Sequence, residues 1–247
     1  MPKVFVLIPA YNEAKNIEKV LKRVKNLKIE AIVVDDGSKD KTYEIAKKYA
    51  KFVLKHERNK GKAEAIKTGL KFLLENSNFD VVAIIDADNA YNPLEIPKFI
   101  EKIENGYDFV MGFRNWREVP FRHKLGNFVW RKTFNTLFGT KLLDTNCGFV
   151  AMNKKAAQKL KDLIYGGYIL ENAMLIKMLK ENFRIGQVNV KVNYERKRDL
   201  LSGIRMVLGV LIFILVKGIS FRIEKLFKMV KEFKNKGAVA QPGRATG

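Results

Sequence analysis

Short apolar runs alternate with longer amphipathic segments through the first 115 residues of the chain. Residues 81–85 are apolar at every position, which predicts a strand buried on both faces of a parallel sheet. Between the runs, apolar residues recur every three or four positions, which predicts helices. The first such helix has apolar positions at Ile17, Val20, Leu21, Val24 and Leu27. This alternation predicts right-handed crossovers and a mostly parallel central sheet flanked by helices.

The whole of residues 1–200 is predicted to form one domain of the α/β class. Strands are expected at residues 3–9, 31–34, 52–54, 81–86, 107–112 and 188–194, with a further short strand after the loop at 144–149. Helices are expected at residues 17–27, 41–50, 62–74, 93–104 and 170–179, and around Phe128, Trp130 and Phe134. The stretch between the fifth strand and the Phe128 helix is less regular and combines arginines with aromatic residues.

The composition changes after residue 200, where a non-polar run at 206–216 precedes a basic amphipathic run at 223–233. A helix over the first run rises about 16 Å, at roughly 1.5 Å per residue, against a hydrocarbon layer of about 30 Å. The second run is typical of a helix lying in the membrane interface. We therefore predict C-terminal membrane-interface helices at residues 201–236, with a hairpin packed on the domain or on a second subunit as the alternative. Residues 237–247 are predicted to be a disordered tail.

The charge of the chain is strongly positive, with 47 lysines and arginines against 26 aspartates and glutamates and a net charge of +21. This excess predicts an anionic partner, such as nucleic acid, an acidic membrane surface or a phosphorylated substrate, with solvated lysine-rich faces as the alternative. Cys147 is the only cysteine, so we expect no disulfide framework and a reducing, cytosolic setting. The chain enters its first strand from Lys3 without a signal-peptide pattern.

Polar and acidic loops follow three of the predicted parallel strands, at residues 9–13, 35–38 and 86–89. Ligands of parallel sheets lie beyond the carboxyl ends of the strands, so the three loops are predicted to meet at one rim. Asp86 and Asp88 are two positions apart, so in extended backbone their side chains point the same way. Carboxylate oxygens are suitable ligands for Mg²⁺ or Mn²⁺, which are usually shared with the phosphates of a substrate, so the pair is a candidate metal site. The alternative is that the two acids only cap the next helix.

Four motifs in this order resemble the family 2 glycosyltransferases, which have the Rossmann-like GT-A fold. They are Pro9-Ala10-Tyr11-Asn12-Glu13, Asp35-Asp36-Gly37-Ser38, Asn59-Lys60-Gly61-Lys62-Ala63 and Asp86-Ala87-Asp88. Gly112-Phe113-Arg114, the region of Arg122 and residues 144–149 are further similar to the polyprenyl-phosphate sugar synthases, which include dolichyl-phosphate mannose synthase and dolichyl-phosphate glucosyltransferase. The resemblance covers residues 3–200 and implies an inverting transfer of a hexose from a UDP-glucose or GDP-mannose type donor to a polyprenyl phosphate.

The resemblance also implies roles for individual residues. The nucleotide-sugar donor would be bound by Pro9, Tyr11, Glu13, Asp36, Asp86, Ala87 and Asp88. Of these, Asp86 and Asp88 would hold the divalent cation, Mg²⁺ or Mn²⁺. The acceptor phosphate would be bound by Arg114, Arg122, Arg196 and Arg198, with Arg114 also able to reach the donor phosphates. Asp88, Arg114 and Arg122 would be the catalytic residues.

The chain departs from the mannose synthases at one metal position, where they have glutamine and this sequence has Ala90. The sequence Asp-Ala-Asp-Asn-Ala at residues 86–90 is more similar to the corresponding motif of the dolichyl-phosphate glucosyltransferases. The signature Arg-x-x-Gly-x-Ser-Lys, usual near the end of the catalytic domain, is only partly present between Arg196 and Ser202.

The type of acceptor decides which groups the chemistry needs. A phosphate monoester has a second pKa near about 6, so at neutral pH it is already a dianion and attacks without a general base. Arginines are then needed to bring two anions together, because their planar forks match phosphate. If the acceptor were a glycan hydroxyl, Glu171 would be the candidate base, although its alternative role is to stabilise a helix N-terminus.

A basic nucleic-acid-binding module is the non-enzymatic alternative, but acids at three strand ends would repel a phosphate backbone. We therefore predict a nucleotide sugar, a polyprenyl-phosphate lipid and an anionic membrane surface as partners, with no nucleic acid. The predicted location is the cytoplasmic face of the cell membrane, with the protein peripheral or anchored in the interface. Asp144 is predicted to be a structural turn acid and Cys147 a small packed residue.

Overall fold

A seven-stranded sheet forms the centre of the molecule. The computed structural model describes residues 2–115, 121–162, 166–193 and 200–239; at 121–123, 125, 200–206 and 233–239 it describes the backbone alone. The strands are β1 Val4–Ala10, β2 Glu30–Asp35, β3 Phe52–Lys55, β4 Val81–Ile84, β5 Phe109–Arg114, β6 Val150–Asn153 and β7 Ile185–Val190. Their order across the sheet is β3-β2-β1-β4-β6-β5-β7.

The prediction of a mostly parallel sheet is confirmed. β6 is antiparallel to both of its neighbours, β4 and β5, whereas the other paired strands run parallel. The sequence predicted a short strand after residue 149, but not its direction. β6 returns between two parallel strands, so the loop before it, residues 144–149, lies at the carboxyl ends of its neighbours.

Helices cover the sheet, as the periodic apolar positions predicted. They are α1 Ile17–Asn26, α2 Thr42–Tyr49, α3 Lys62–Asn76, α4 Ile96–Glu104, α5 Phe121–Phe138, α6 Lys154–Leu160, α7 Leu170–Lys180 and α8 Leu200–Val239, with 3-10 turns at Pro93–Glu95 and Gly167–Ile169. α3 lies directly on β1, since a Cβ atom at Gly69 would come within 2.2 Å of Leu7 Cδ1. The central strands are buried on both faces, which is why their sequences are apolar throughout.

Two predicted strand boundaries are wrong. β4 ends at Ile84, where its pairing with Val150 stops, so Asp86 lies in the loop beyond the strand rather than within it. The last strand spans Ile185–Val190 instead of 188–194. Its limits follow β5, with which it pairs in register along its whole length.

α8 is one continuous helix of 40 residues, and the prediction of two separate C-terminal helices is therefore wrong. Gly218 allows close packing on α5, because a Cβ there would lie 2.6 Å from Leu137. α8 also extends through Val239, so the predicted tail is helical at 237–239, while 240–247 lie outside the described residues. Among the described residues, no helix combines enough length with enough apolar character to cross a membrane.

The first half of α8 packs on α5. This agrees with the alternative prediction that the C-terminal segment packs on the domain, although it does so as one helix and not as a hairpin. The Trp130 indole N–H donates to the carbonyl of Val207 at 2.9 Å, and Val210 and Ile214 are buried in the contact. Arg222 donates to two carbonyls in the last turn of α5, those of Thr136 and Leu137. From residue 222 to 232 every side chain of α8 is exposed.

Candidate active site

The loops after β1 and β2 are joined by hydrogen bonds, which places their polar residues at one rim. Asn12, with a φ of 53°, donates its N–H to Ser38 Oγ at 2.9 Å and accepts from the Lys39 N–H at 2.9 Å. The N–H of Glu13 donates to Thr42 Oγ1 at 2.8 Å. The predicted meeting of these strand ends is therefore observed.

The residues predicted to bind the donor differ in how they are presented at this rim. Pro9 is buried inside β1, whereas Tyr11, at the strand end, is 41% exposed. Glu13 is buried, and its Oε2 accepts a hydrogen bond from the Asn16 side chain at 2.8 Å. Ala87 is buried between the two acids of the fourth strand end. Of this group, Tyr11 is the side chain most accessible to a ligand.

Asp36 organises the loop that leads into α3. Its buried carboxylate accepts from the backbone N–H of Lys60 at 2.9 Å and of Gly61 at 2.7 Å. It also lies 2.6 Å from Nδ1 of His56, whose Nε2 lies 2.9 Å from Thr68 Oγ1. Asp36 therefore fixes the loop that delivers the first residue of α3 to the rim, and its predicted contact with the nucleotide stays a prediction.

Asp35, the first acid of the same motif, was not singled out by the sequence. It is fully buried, and its Oδ1 accepts from the Ser38 N–H at 3.3 Å, whereas its Oδ2 has no hydrogen-bond partner. A buried acceptor without a partner is costly, so this oxygen is an unfavourable polar position beneath the rim. Its position at the carboxyl end of β2 is the signal that could have identified it.

A cluster of one lysine and two carboxylates forms the centre of the site. Nζ of Lys62 lies 2.7 Å from Asp86 Oδ1 and 3.2 Å from Glu171 Oε1. Lys62 begins α3, Asp86 follows β4, and Glu171 lies in the first turn of α7. Burial disfavours the charged ammonium, but the two carboxylates more than offset this and hold the pKa of Lys62 well above its ordinary range.

The backbone of Gly148 closes this Lys62–Asp86–Glu171 cluster on one side. A Cβ atom at this position would lie 2.8 Å from Asp86 Oδ2 and 2.9 Å from Lys62 Nζ. The Gly148 N–H donates to the hydroxyl of Tyr91 at 3.2 Å, which holds the loop in place. Only glycine fits here without displacing the charged groups.

Cys147 is a packed, unreactive thiol, as the sequence predicted. Its Sγ lies 3.6 Å from the Tyr91 hydroxyl in a fully buried position. Burial raises the pKa of Cys147 to about 12 and also raises the pKa of Tyr91 well above its ordinary value. Both groups therefore stay neutral at physiological pH.

Asp88 lies in a turn that follows Asp86. Its Oδ1 accepts from the Ala90 N–H at 3.0 Å, and the intervening Asn89 adopts a φ of 59°. The side chain of Asn89 accepts from Arg23 of α1 at 3.1 Å, which ties the turn to the helix layer. Within the described ranges, histidine, cysteine and acidic side chains nowhere group in threes that could hold a metal. The two carboxylates fit a hard divalent cation only if further oxygens come from a ligand.

Arg114 is engaged by Asp144. The guanidinium donates through Nε to Oδ2 at 2.6 Å and through Nη2 to Oδ1 at 2.9 Å. Asp144 also accepts from the Asn146 N–H at 3.0 Å, which agrees with its prediction as a structural turn acid. The observed contacts of Arg114 thus hold the loop that leads to Gly148, and its predicted contact with phosphate stays a prediction.

The other predicted phosphate-binding arginines are not described in full. Arg122 is in the first turn of α5, but its side chain lies outside the described residues, as do Arg196 and Arg198 altogether. The chain enters the latter stretch from Asn193, whose N–H donates to the Ala90 carbonyl at 2.8 Å. Asn193, the last described residue before this stretch, is therefore adjacent to the turn that carries Asp88.

Comparison with known proteins identifies relatives along most of the chain. Residues 5–161 match the family model described as glycosyl transferase family 2. The UDP-N-acetylglucosamine–dolichyl-phosphate N-acetylglucosaminyltransferase of Methanococcus voltae is 31% identical over 235 residues, which cover 85% of this chain and 93% of that protein. The dolichol-phosphate mannosyltransferase of Pyrococcus furiosus is 38% identical over 139 residues, which cover 50% of this chain and 38% of that protein.

A solved structure shares the fold. It is the crystal structure of glucosyl-3-phosphoglycerate synthase from Mycobacterium tuberculosis in complex with Mn²⁺, uridine diphosphate and phosphoglyceric acid. The TM-score is 0.70 at 25% sequence identity, and the alignment covers 88% of this chain and 78% of that one.

Proposed function

This chain belongs to glycosyl transferase family 2, and we propose that it is an inverting enzyme that moves a hexose from a nucleotide-diphosphate sugar to a polyprenyl phosphate. The observation that carries the proposal is the Lys62–Asp86–Glu171 cluster at the carboxyl ends of a GT-A sheet. Two relatives are named for the transfer of sugars to dolichyl or dolichol phosphate, which supports a lipid phosphate as the acceptor.

The donor end of the site suits a nucleotide diphosphate. Tyr11 is exposed at the rim, and we propose that it contacts the base or the ribose. Asp86 and Asp88 would hold Mg²⁺ or Mn²⁺, which would neutralise the charge that develops on the leaving diphosphate. A related synthase binds Mn²⁺ together with uridine diphosphate, which supports a divalent cation.

The acceptor end requires cations that the sequence supplies in excess. Arg122, Arg196 and Arg198 are proposed to bind the acceptor phosphate together with Arg114. A phosphate dianion needs no base, so the protein only has to align it against the anomeric carbon and shield the charges of two anions from one another.

A second candidate function is transfer to a glycan hydroxyl, and the position of Glu171 favours it. Its carboxylate lies in the cluster, with Oε1 3.2 Å from Lys62, rather than only stabilising the start of α7. A carboxylate at this point could take the proton of an attacking hydroxyl. The contact of one of its oxygens with the ammonium of Lys62 counts against this role, because that oxygen is already engaged.

A membrane surface is the proposed site of action. α8 exposes an apolar stripe, here called the α8 stripe, in which each member lies three or four residues from another member along the helix. Its members are Leu208, Ile212, Leu215, Ile219, Ile223, Leu226, Phe227 and Val230. Arg222, Lys225, Lys228 and Lys231 lie beside it and suit anionic lipid headgroups. We place the protein on the cytoplasmic face, where a single unpaired cysteine stays reduced.

The experiment that tests the proposal has two stages. Thermal unfolding is first followed with UDP- and GDP-sugars, with and without Mn²⁺, because a ligand that binds the native state raises the unfolding temperature. The stabilising donor is then offered to polyprenyl phosphate and, separately, to free glycans. Transfer to the lipid phosphate alone supports the proposal, transfer to glycans alone supports the second candidate, and stabilisation by no nucleotide sugar contradicts both.

A further inference from the structure

The ammonium of Lys62 pairs with Asp86, one of the two acids proposed to hold the divalent cation. Nζ of Lys62 lies 2.7 Å from Oδ1 of Asp86, and both side chains are only partly buried, at 30% and 26% exposure. Glu171 holds the same ammonium from the other side. Asp86 therefore already has a cationic partner supplied by the chain itself.

We infer that Lys62 is an internal counter-ion that keeps divalent metal off Asp86 until a nucleotide diphosphate binds, and that it then transfers to the diphosphate. The inference rests on the proposed use of a nucleotide-diphosphate donor. It predicts that metal and nucleotide bind together and that neither binds tightly alone.

Competition for Asp86 follows from charge. A divalent ion and an ammonium cannot both sit within bonding distance of one carboxylate oxygen without strong mutual repulsion in a partly buried site. The metal therefore has to displace the ammonium rather than bind next to it.

The displaced ammonium needs a new anionic partner, and a diphosphate supplies one. Lys62 is the first residue of α3, and the loop before it is fixed by Asp36 through the N–H groups of Lys60 and Gly61. The base of the side chain is thus held while its flexible four-carbon stem can turn. Glu171 is a positioning residue here, because its contact retains the ammonium in the site while Asp86 changes partner.

The test measures binding of Mn²⁺ alone, of UDP or GDP alone, and of both together, by titration calorimetry and by the electron paramagnetic resonance signal of unbound Mn²⁺. The variant is Lys62→Met, with Lys67→Met as the matched control, because Lys67 lies on the same helix and pairs only with the surface residue Glu64 at 2.9 Å. Lys62→Arg retains the charge and is the conservative variant.

In Lys62→Met, we expect the affinity for Mn²⁺ alone to rise at least tenfold and the affinity for nucleotide diphosphate alone to fall at least tenfold. Lys62→Arg and Lys67→Met should keep the weak metal binding of the parent protein. An Mn²⁺ affinity that is unchanged or lower in Lys62→Met overturns the inference. Circular dichroism melting curves establish that each variant is folded.

The two proposals fail in different ways. If the parent protein binds and transfers a sugar, but Lys62→Met binds Mn²⁺ no better than the parent does, only the counter-ion role is wrong. If no nucleotide binds the parent protein, but removal of Lys62 strengthens Mn²⁺ binding, the proposed function is wrong and the competition for Asp86 stands.

Discussion

Arg114 and Asp144 face each other through two parallel hydrogen bonds, Nε to Oδ2 at 2.6 Å and Nη2 to Oδ1 at 2.9 Å. Arg114 ends β5, and Asp144 opens the loop that leads to Gly148. Burial alone would lower the pKa of Arg114, but Asp144 outweighs it and raises that pKa well above its ordinary value. The pair therefore connects the sheet to the loop that closes the Lys62–Asp86–Glu171 cluster.

Removal of either partner from this pair should destabilise the protein. Arg114→Met or Asp144→Leu would each leave one buried charge without a partner, which costs about 3–5 kcal/mol. Urea denaturation measures the loss, and the double variant should recover much of it because no charge is left unpaired. Single variants with unchanged stability but lost transfer would instead favour direct contact of Arg114 with phosphate.

Gly148→Ala should abolish most transfer while the protein still folds. The added methyl group would lie 2.8 Å from Asp86 Oδ2 and 2.9 Å from Lys62 Nζ, so the charged side chains must move apart. Gly209→Ala is the matched control, because open space surrounds that position in α8. The control should gain up to about 1 kcal/mol from helix propensity and keep full activity. Equal rates in the two variants would show that the cluster tolerates displacement.

Asp88→Ala should reduce transfer by a factor of 100 or more, on the order expected when a charge-stabilising group is lost. The fold should be retained, since Asp88 is only partly buried and its hydrogen bond to the Ala90 N–H lies within its own turn. Asp162→Ala, at a side chain that is 66% exposed, is the control. Turnover at the parental rate in Asp88→Ala, with Mn²⁺ present, would remove the metal hypothesis.

The α8 stripe should determine membrane binding. Replacement of Leu226 and Phe227 by serine should release the protein from vesicles that contain anionic lipid, as measured by flotation. Leu94→Ser is the control, because Leu94 is also exposed but lies outside α8.

Truncation after Glu224 is a second test of the same role. It is preferable to removal of all of α8, because Val210 and Ile214 are buried against the domain. Equal flotation of all variants would contradict the interfacial role.

Cys147 should resist iodoacetamide at pH 8 in the folded protein and react quickly in urea. Burial raises its pKa to about 12, so the reactive thiolate is scarce at pH 8. Because the folded pKa lies above the unfolded value of about 9, this thiol contributes stability below about pH 9 that is lost as the pH rises toward 12. Fast labelling of the native protein at pH 8 would indicate that the loop at 144–148 opens readily.

Much of the fold was predictable, because strand and helix periods depend on local apolar patterns. The parallel sheet, the seven strands and the rim of polar loops follow from those patterns and from the acids at strand ends. The direction of β6 was not predictable, since pairing with β4 and β5 depends on contacts far apart in the sequence. The continuity of α8 was missed because a change from a non-polar run to a basic amphipathic run does not show whether the helix continues between them.

The site was predictable where a motif marks it and not where long-range pairing decides it. Asp86 and Asp88 were identified by their place after a buried strand. Lys62 follows a basic stretch of sequence, and the sequence cannot distinguish it from a solvated lysine. Its partner Glu171 is 109 positions away. The engagement of Arg114 by Asp144, 30 positions away, could not be foreseen for the same reason.

The attachment of α8 to α5 through Trp130 and Arg222 bears on how the enzyme would encounter its lipid. With the α8 stripe in the headgroup layer, the rim of the sheet would stand at a constant height above the acyl chains. The acceptor would then arrive by lateral diffusion, in two dimensions. Turnover would follow the mole fraction of acceptor in the leaflet, so that dilution with inert lipid would slow the reaction although the amount of acceptor per volume stayed the same.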